Sequence, residues 1–359
     1  MKRPFLSDFD FSLLLVTILI CAVGAFNLYS ATQAATIGAQ KFSSQLMWMG
    51  IGFFVMIVLT FIDYRILERI VYPIYAIIII MLLMVLAVGS IEHGAQRWLN
   101  LSFITFQPAE ILKFSFVVYL SSWLDSRRSG PKSMKTTFVP FIVMISVLSV
   151  FLVLQPDIGT LGIIIGTSIL LYFLGGGKIT QIFALICLGF IVLFFLIQAA
   201  PYRLERFKVF LDPDLDPGGS GYQIKQSFIA IGSGGILGKG FGKGIQKYNY
   251  IPEPIGDSVF AVFTEELGFA GAFVLVSLFL LFLWRGITIA ERAPDFFGTL
   301  LAFGITIGIL VQMVVNIGAI SGLLPLTGVP LPFISYGGSA LLINIAGIGV
   351  LLNISKHMA

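Results

Sequence analysis

Ile179-Thr-Gln-Ile-Phe-Ala-Leu-Ile-Cys-Leu-Gly-Phe-Ile-Val-Leu-Phe-Phe-Leu-Ile-Gln198 is a run of twenty residues without a charge. About 20 predominantly apolar residues, wound as a helix, cross the hydrocarbon core of a bilayer. Phe138 to Leu154 is a second charge-free run, and comparable windows recur along the whole chain. Apolar runs, charge breaks and Pro/Gly punctuation divide the sequence into ten expected spans. They are 11–30, 46–62, 70–89, 107–124, 138–154, 158–174, 179–198, 259–283, 297–316 and 336–354. Composition agrees: 57% of the 359 residues are apolar and 11% are charged. Average soluble domains carry roughly 25% charged residues, so this chain has too few to cover a water-facing surface. A soluble enzyme, a nucleic-acid reader and a disordered scaffold are excluded. The expected fold class is an all-α polytopic membrane protein, one integral membrane domain over 1–359. One long loop, 199–257, interrupts it and carries a short amphipathic helix.

The net charge of +4 matters less than its placement. With the N-terminus cytoplasmic, twelve of the 22 Lys and Arg fall on inner segments and only Lys41 and Arg97 on short outer loops. Short loops obey the positive-inside rule and long ones largely escape it, so both termini are expected in the cytoplasm. The 199–257 loop then lies outside. Cys21 and Cys187 sit in apolar runs, and His93 and His357 are the only histidines, so neither a disulfide framework nor a zinc site is expected. Lys2 and Arg3 precede the first apolar run as in a signal peptide. No A-x-A-type cleavage pattern follows, and the run reads as a retained helix. No internal repeat and no matched pair of interrupted helices, the mark of many transporters, is visible.

Charges at membrane depth are costly unless paired or wet, and so are functional candidates. In Gln107-Pro-Ala-Glu110-Ile-Leu-Lys113, Pro108 suits a helix start. Glu110 and Lys113 are then i,i+3 neighbours, either a self-neutralising pair or the lining of a polar cavity. In Gln155-Pro-Asp157-Ile-Gly-Thr160, Asp157 is placed to cap the next helix or to face a substrate.

The long loop is the most informative segment. Asp212-Pro-Asp-Leu-Asp-Pro217 and Gly218-Gly-Ser-Gly-Tyr222 are turn chemistry. Ile224, Phe228 and Ile231 against Gln223, Lys225 and Gln226 predict an amphipathic helix lying in the outer interface. Gly232 to Gly244 is glycine-rich but lacks G-x-x-x-x-G-K-[ST], which excludes a P-loop. Its lysines, Lys239 with Lys243 and Lys247, either cradle a phosphate together with backbone N–H groups or face lipid headgroups. Asp257 ends a proline-stiffened approach, Ile251-Pro-Glu-Pro-Ile-Gly-Asp257, to a span that carries Glu265 and Glu266. Asp257 reads as an N-cap or as a carboxylate at the outer mouth. At least one of the two glutamates must meet a cation or a polar cavity.

An extracytoplasmic transferase needs a donor activated other than by a nucleotide, such as a lipid-linked pyrophosphate. A positioned carboxylate activates an acceptor hydroxyl by roughly 10²–10⁴-fold. The pyrophosphate leaving group needs positive charge from Lys, Arg or a divalent cation. Magnesium or manganese is therefore a candidate cofactor, with its ligands unassigned.

In these motifs the chain resembles the SEDS family of cell-wall polymerases (shape, elongation, division and sporulation). The resemblance rests on Gln96-Arg97-Trp98, the Gln107–Lys113 and Gln155–Thr160 stretches, Gly221-Tyr-Gln223, Pro252 to Asp257, and Glu265-Glu-Leu-Gly268. It continues through Gly322-Leu-Leu-Pro-Leu-Thr-Gly-Val-Pro-Leu-Pro-Phe-Ile-Ser-Tyr-Gly-Gly-Ser339, and so covers nearly the whole chain. The last motif is closer to the elongation branch than to the division branch. The resemblance implies a peptidoglycan glycosyltransferase of the bacterial cytoplasmic membrane with an extracytoplasmic site. The GlcNAc 4-hydroxyl of one lipid II would attack C1 of the MurNAc on a growing chain and expel undecaprenyl pyrophosphate. It implies Asp257 as the essential carboxylate, and Glu110, Lys113 and Asp157 as cavity residues. Arg97 and the Ser335–Ser339 segment are expected to join that site, with Lys239 as a further substrate contact. Where the family commonly reads His-Thr-Asp, this chain reads Ile255-Gly256-Asp257, so no histidine base is available at that step. Implied partners are a class B penicillin-binding protein transpeptidase, other elongation-machinery proteins and membrane lipids. A lipid II flippase and a scaffold for the transpeptidase are the competing readings.

Overall fold

The computed structural model describes residues 9–33, 38–92, 95–100, 105–128, 134–248 and 250–358. Each of the ten expected spans coincides with a helix. These are α1 (Phe11–Thr32), α2 (Gly38–Phe61), α4 (Val71–Val88), α5 (Pro108–Ser126), α6 (Val139–Leu154), α7 (Ile158–Leu174), α8 (Ile179–Gln198), α11 (Val259–Glu291), α12 (Phe296–Ile320) and α13 (Gly338–Lys356). The intervening helices are α3 (Arg65–Arg69), α9 (Pro201–Leu211) and α10 (Ser220–Gly234). Among the described residues eight helices are long and apolar enough to cross a bilayer, one of them counting the π-turn Met134–Phe138 as part of α6. The other two expected spans are α7, at 17 residues, and α5, which carries Glu110, Lys113 and Asp125. The chain is an all-α multi-pass membrane protein.

Helix starts follow local chemistry. Asp10 caps α1 by accepting the Leu13 N–H at 2.8 Å, Asp295 caps α12 through Gly298 N–H, and Pro108 opens α5. The two last helices form the centre, with 78% of the apolar window of α13 and 61% of that of α12 buried; α8, at 17%, lies on the rim. Lipid tails are as apolar as leucine, so helices in a bilayer associate through close packing and polar contacts. The α2–α13 contact depends on this: a Cβ on Gly349 would sit 2.5 Å from the Met56 carbonyl oxygen. Large apolar side chains such as Phe183, Phe190 and Phe195 on α8 are exposed to where lipid would lie.

Three features depart from the sequence expectation. A small antiparallel sheet joins α4 to α5: β1 (Ser90–Glu92), β2 (Ala95–Asn100) and β3 (Thr105–Phe106), in that order. Strands of three, six and two residues give too little period-2 pattern to stand out. Second, α10 does not simply lie in the interface. Gly221, Ile224, Ser227, Ala230 and Gly234 form its buried face, whereas Phe228 is 44% exposed. Small residues let its backbone approach α11 closely, with a Cβ on Gly234 only 2.2 Å from the Thr264 carbonyl oxygen. Third, α11 is broken at Gly268 (φ 65°, ψ −166°).

The break is repaired by the glycine-rich loop. An intact helix would bond Phe269 N–H to Glu265 O and Ala270 N–H to Glu266 O. Instead Phe269 and Ala270 donate to Gly235 O (2.8 Å) and Ile236 O (2.9 Å), and the Glu265 and Glu266 carbonyls accept from Lys239 and Gly240 N–H, both at 3.0 Å. Irregular backbone at membrane depth is tolerated only where its polar groups are satisfied in this way. The two chains meet so closely that a Cβ on Gly238 or Gly268 would lie 2.1 or 2.3 Å from opposing backbone.

Candidate functional site

The Glu110–Lys113 pair forms a salt bridge of 2.8 Å in the first turns of α5. Lys113 Nζ also donates to Gln312 Oε1 on α12 at 2.7 Å. Glu110, Lys113 and Gln312 line a partly open cavity with α7 and α13, of about 540 Å³ when the open space at its mouth is included. Its walls are mostly apolar. Two lining atoms, Thr167 Oγ1 and Asn344 Nδ2, have no hydrogen-bond partner among the described residues. The pair therefore both neutralises itself and lines a cavity.

A second cluster forms where β2 meets the α6–α7 turn. Arg97 Nε donates to Gln155 O at 3.1 Å, a terminal nitrogen reaches Pro156 O, and the other lies 3.7 Å from Asp157 Oδ1. Asp157 accepts from Thr160 N–H (3.3 Å) and from Gln107 Nε2 (3.0 Å), the residue preceding α5. Asp157 is thus a helix cap and an ion-pair partner at once, and 3% exposed. Gln155 in turn donates to Leu82 O on α4. Arg97 holds the turn together and keeps a partly exposed side chain.

Asp257 sits just before α11, half-buried. Gln223 Nε2 on α10 donates to its Oδ1 at 3.2 Å and to Ser258 Oγ at 2.9 Å. Among the described residues no cation pairs with it, in contrast with the carboxylates of Glu110, Asp157, Glu265 and Glu266. Burial, and then the negative charge of Glu253, push its carboxyl up to about 6, against the pull of the Gln223 amide and two backbone N–H groups. Its main chain is held on three successive carbonyls. Ile255 O accepts from Tyr336 N–H (2.8 Å), Gly256 O from Ser335 Oγ (2.7 Å) and Asp257 O from Asn316 Nδ2 (2.9 Å). Ser335 Oγ also accepts Leu331 N–H, and Gln45 of α2 brackets the turn through Ser335 O and Gly337 N–H. Ser339 is buried in the first turn of α13. Glu253 (φ 51°) and Phe333 (φ 64°) adopt the left-handed region on the two segments that meet here. Such backbone costs of order 1–3 kcal/mol per residue and persists where surroundings over-determine it.

The glycine-rich loop does cradle anions, and they belong to its own chain. Glu265 accepts from Ile245 N–H (3.0 Å), Gln246 N–H (3.1 Å) and Lys239 Nζ (2.7 Å). Glu266 accepts from Gly242 N–H (3.0 Å), Gly244 N–H (3.3 Å), Ser30 Oγ (2.7 Å) and Lys247 Nζ (2.7 Å). Lys247 is itself fully enclosed and also donates to Ser30 Oγ and Gly242 O. Each glutamate thus meets its own cation.

Residues 10–359 match the family described as cell cycle protein, FtsW, RodA and SpoVE. The chain belongs to that family. It is 36% identical over 358 residues to stage V sporulation protein E of Bacillus subtilis, covering 97% of each. It is 36% identical over 351 residues to the peptidoglycan glycosyltransferase MrdB of Escherichia coli, covering 97% of this chain and 94% of that one. Among solved structures, it matches a chain from work on the structural coordination of polymerization and crosslinking by a peptidoglycan synthase complex. That likeness has a TM-score of 0.84 at 30% identity, with 98% of both chains covered.

Within this FtsW/RodA/SpoVE fold, the residues singled out in the sequence gather into three groups: Glu110 with Lys113, Arg97 with Asp157, and Asp257 with Ser335. Lys239 stands apart, paired with Glu265. Gln312, Asn316 and Gln223 were not singled out as site residues. Two amides one turn apart at the end of an apolar span are a readable signal.

Proposed function

We propose that the protein is a peptidoglycan glycosyltransferase that polymerises lipid II on the outer face of the bacterial cytoplasmic membrane, serving elongation and rod shape. The single observation that carries the reading is Asp257: a half-buried carboxylate with no cation partner among the described residues, pushed up to about 6, held by bonds to three consecutive carbonyls. A general base works best with a pKa near the operating pH. The Asp257 carboxylate takes the proton of the acceptor GlcNAc 4-hydroxyl as that oxygen bonds to C1 of the donor MurNAc. The C1–O bond to the pyrophosphate breaks, and undecaprenyl pyrophosphate leaves with the electron pair. Lys113 and Arg97 supply positive charge for the pyrophosphates. The unpartnered Thr167 and Asn344 atoms offer polar contacts in the cavity.

A divalent cation belongs to this proposal. Among the described residues no cluster of three ligating side chains exists. Magnesium, however, is commonly held by one or two carboxylates together with substrate phosphates. Asp257, with Glu253 close enough to raise its pKa, fits that donor set, and the ion would neutralise the leaving pyrophosphate. The topology has both termini cytoplasmic and the 199–257 loop outside, as one membrane domain. A class B penicillin-binding protein is the proposed partner, supported by the likeness to a chain of a synthase complex.

The test uses purified protein with its partner transpeptidase, which carries no active glycosyltransferase, plus labelled lipid II and a divalent cation. Glycan chains from the natural protein and none from folded Asp257→Ala are expected. Equal polymer from both removes Asp257 as the base. No polymer from either, with lipid II translocation in vesicles instead, favours a flippase.

A further inference from the structure

Gln312 and Asn316 lie on one face of α12, and are 2% and 1% exposed. Buried amides need partners, and both find them on the same short segment. Gln312 Nε2 donates to Pro330 O and Asn316 Nδ2 to Val329 O, each at 2.8 Å. The second bond of each amide goes to a functional residue. Gln312 Oε1 accepts from Lys113 Nζ, and Asn316 Nδ2 donates to Asp257 O. Only an NH2 group, with two protons, can serve two carbonyls, so the partners themselves fix the orientation of the Asn316 amide. Its Oδ1 is left buried with no partner among the described residues. A leucine would remove that orphan acceptor but leave the carbonyls of Val329 and Asp257 without this donor. The amide therefore ties two separate chain segments together, which packing alone would not do.

Residues 329–337 complete the arrangement. The same segment that Gln312 and Asn316 grip at Pro330 and Val329 presents Ser335 and Tyr336 to the carbonyls of Gly256 and Ile255. The cavity cation and the Asp257 main chain thus hang on neighbouring turns of one helix, from residues about 6 Å apart along its axis. We propose that Asn316 is a positioning residue for Asp257, and that Gln312 and Asn316 together set the geometry between the Asp257 carboxylate and the Lys113 ammonium. This inference rests on the transferase reading above. A misplacement of about 1 Å costs on the order of 10²-fold in rate.

The polymerisation assay with lipid II and the partner transpeptidase reads the proposal through initial rates at several substrate concentrations. Asn316→Leu removes both donors and the orphan acceptor, and leaves the carbonyls of Val329 and Asp257 without that donor. The folded variant, checked by thermal melting, is expected to lose about 100-fold in kcat with KM within about twofold. Gln312→Ala is expected instead to raise KM about tenfold. Asn316→Ala carries the same readout as the leucine variant should that one fold poorly. Natural kcat in either folded Asn316 variant would overturn the assignment. A natural protein that makes no polymer would overturn the transferase reading itself, and this inference with it.

Discussion

Asp257 and the Glu265–Glu266 pair stand eight residues apart on one segment and were given opposite environments. The glutamates are buried and saturated: two lysines, a serine and four backbone N–H groups converge on them. Asp257 is half-buried, accepts one side-chain amide, and meets a second carboxylate where the glutamates meet ammonium groups. A fully paired buried charge is fixed and chemically idle. A desolvated one without a cation is pushed toward its protonated form. The same side-chain chemistry is therefore saturated in one place and, among the described residues, left without a cation in the other, and the difference lies in which loop folds over it.

The sharpest break in that comparison is at Asp257. Asp257→Asn should reduce polymerisation by roughly 10²–10⁴-fold and raise thermal stability, measured in detergent by melting. The rise from the usual 3.8 to about 6 corresponds to roughly 3 kcal/mol that the ionised group costs the fold at neutral pH. Lys247→Met should do the reverse. It leaves Glu266 charged in a closed site and should destabilise by about 3–5 kcal/mol, with a lower melting temperature and activity lost only through the unfolded fraction.

A pH titration separates the two sites more gently. Because the Asp257 carboxyl is raised, its contribution to stability is fully present below about 4 and is lost as pH climbs through about 6. The base form grows over the same interval, so rate should rise with pH near 6 while stability falls. An acid limb near 4 in initial-rate measurements would mean the carboxylate is solvated during turnover. The smallest effect is expected from Lys239→Met. Its side chain is 30% exposed and the buried Glu265 keeps two backbone donors, so the change should cost less than Lys247→Met, about 1–3 kcal/mol. An increase in KM for lipid II without a stability change would restore Lys239 to the substrate site.

Much of the architecture was legible because bilayer spans announce themselves one helix at a time. The run 179–198 and the window 158–174 match α8 and α7 residue for residue. The i,i+3 spacing of Glu110 and Lys113 was enough to expect their ion pair, since both partners lie on one helix. Asp157 was legible as a cap for the same local reason, while its contact with Arg97 spans sixty residues and was not. The glycine-rich loop was legible only as either a phosphate cradle or a headgroup-facing loop, whereas it folds over carboxylates of its own chain. Its occupant was missed because the carboxylates it holds come from a helix some twenty residues on.

The sequence by itself determined the membrane class, the helices at its ten apolar windows, the side-chain inventory and the family, because hydrophobic length, local charge spacing and ordered motifs are properties of contiguous residues. Tertiary structure alone decided which carboxylates meet a cation and which, among the described residues, does not. That choice depends on the glycine-rich loop entering the broken ladder of α11, and on α12 and the 329–337 segment holding the chain at Asp257. Desolvation and pairing are set by what packs around a group in space, and here those neighbours come from elements far apart in the chain.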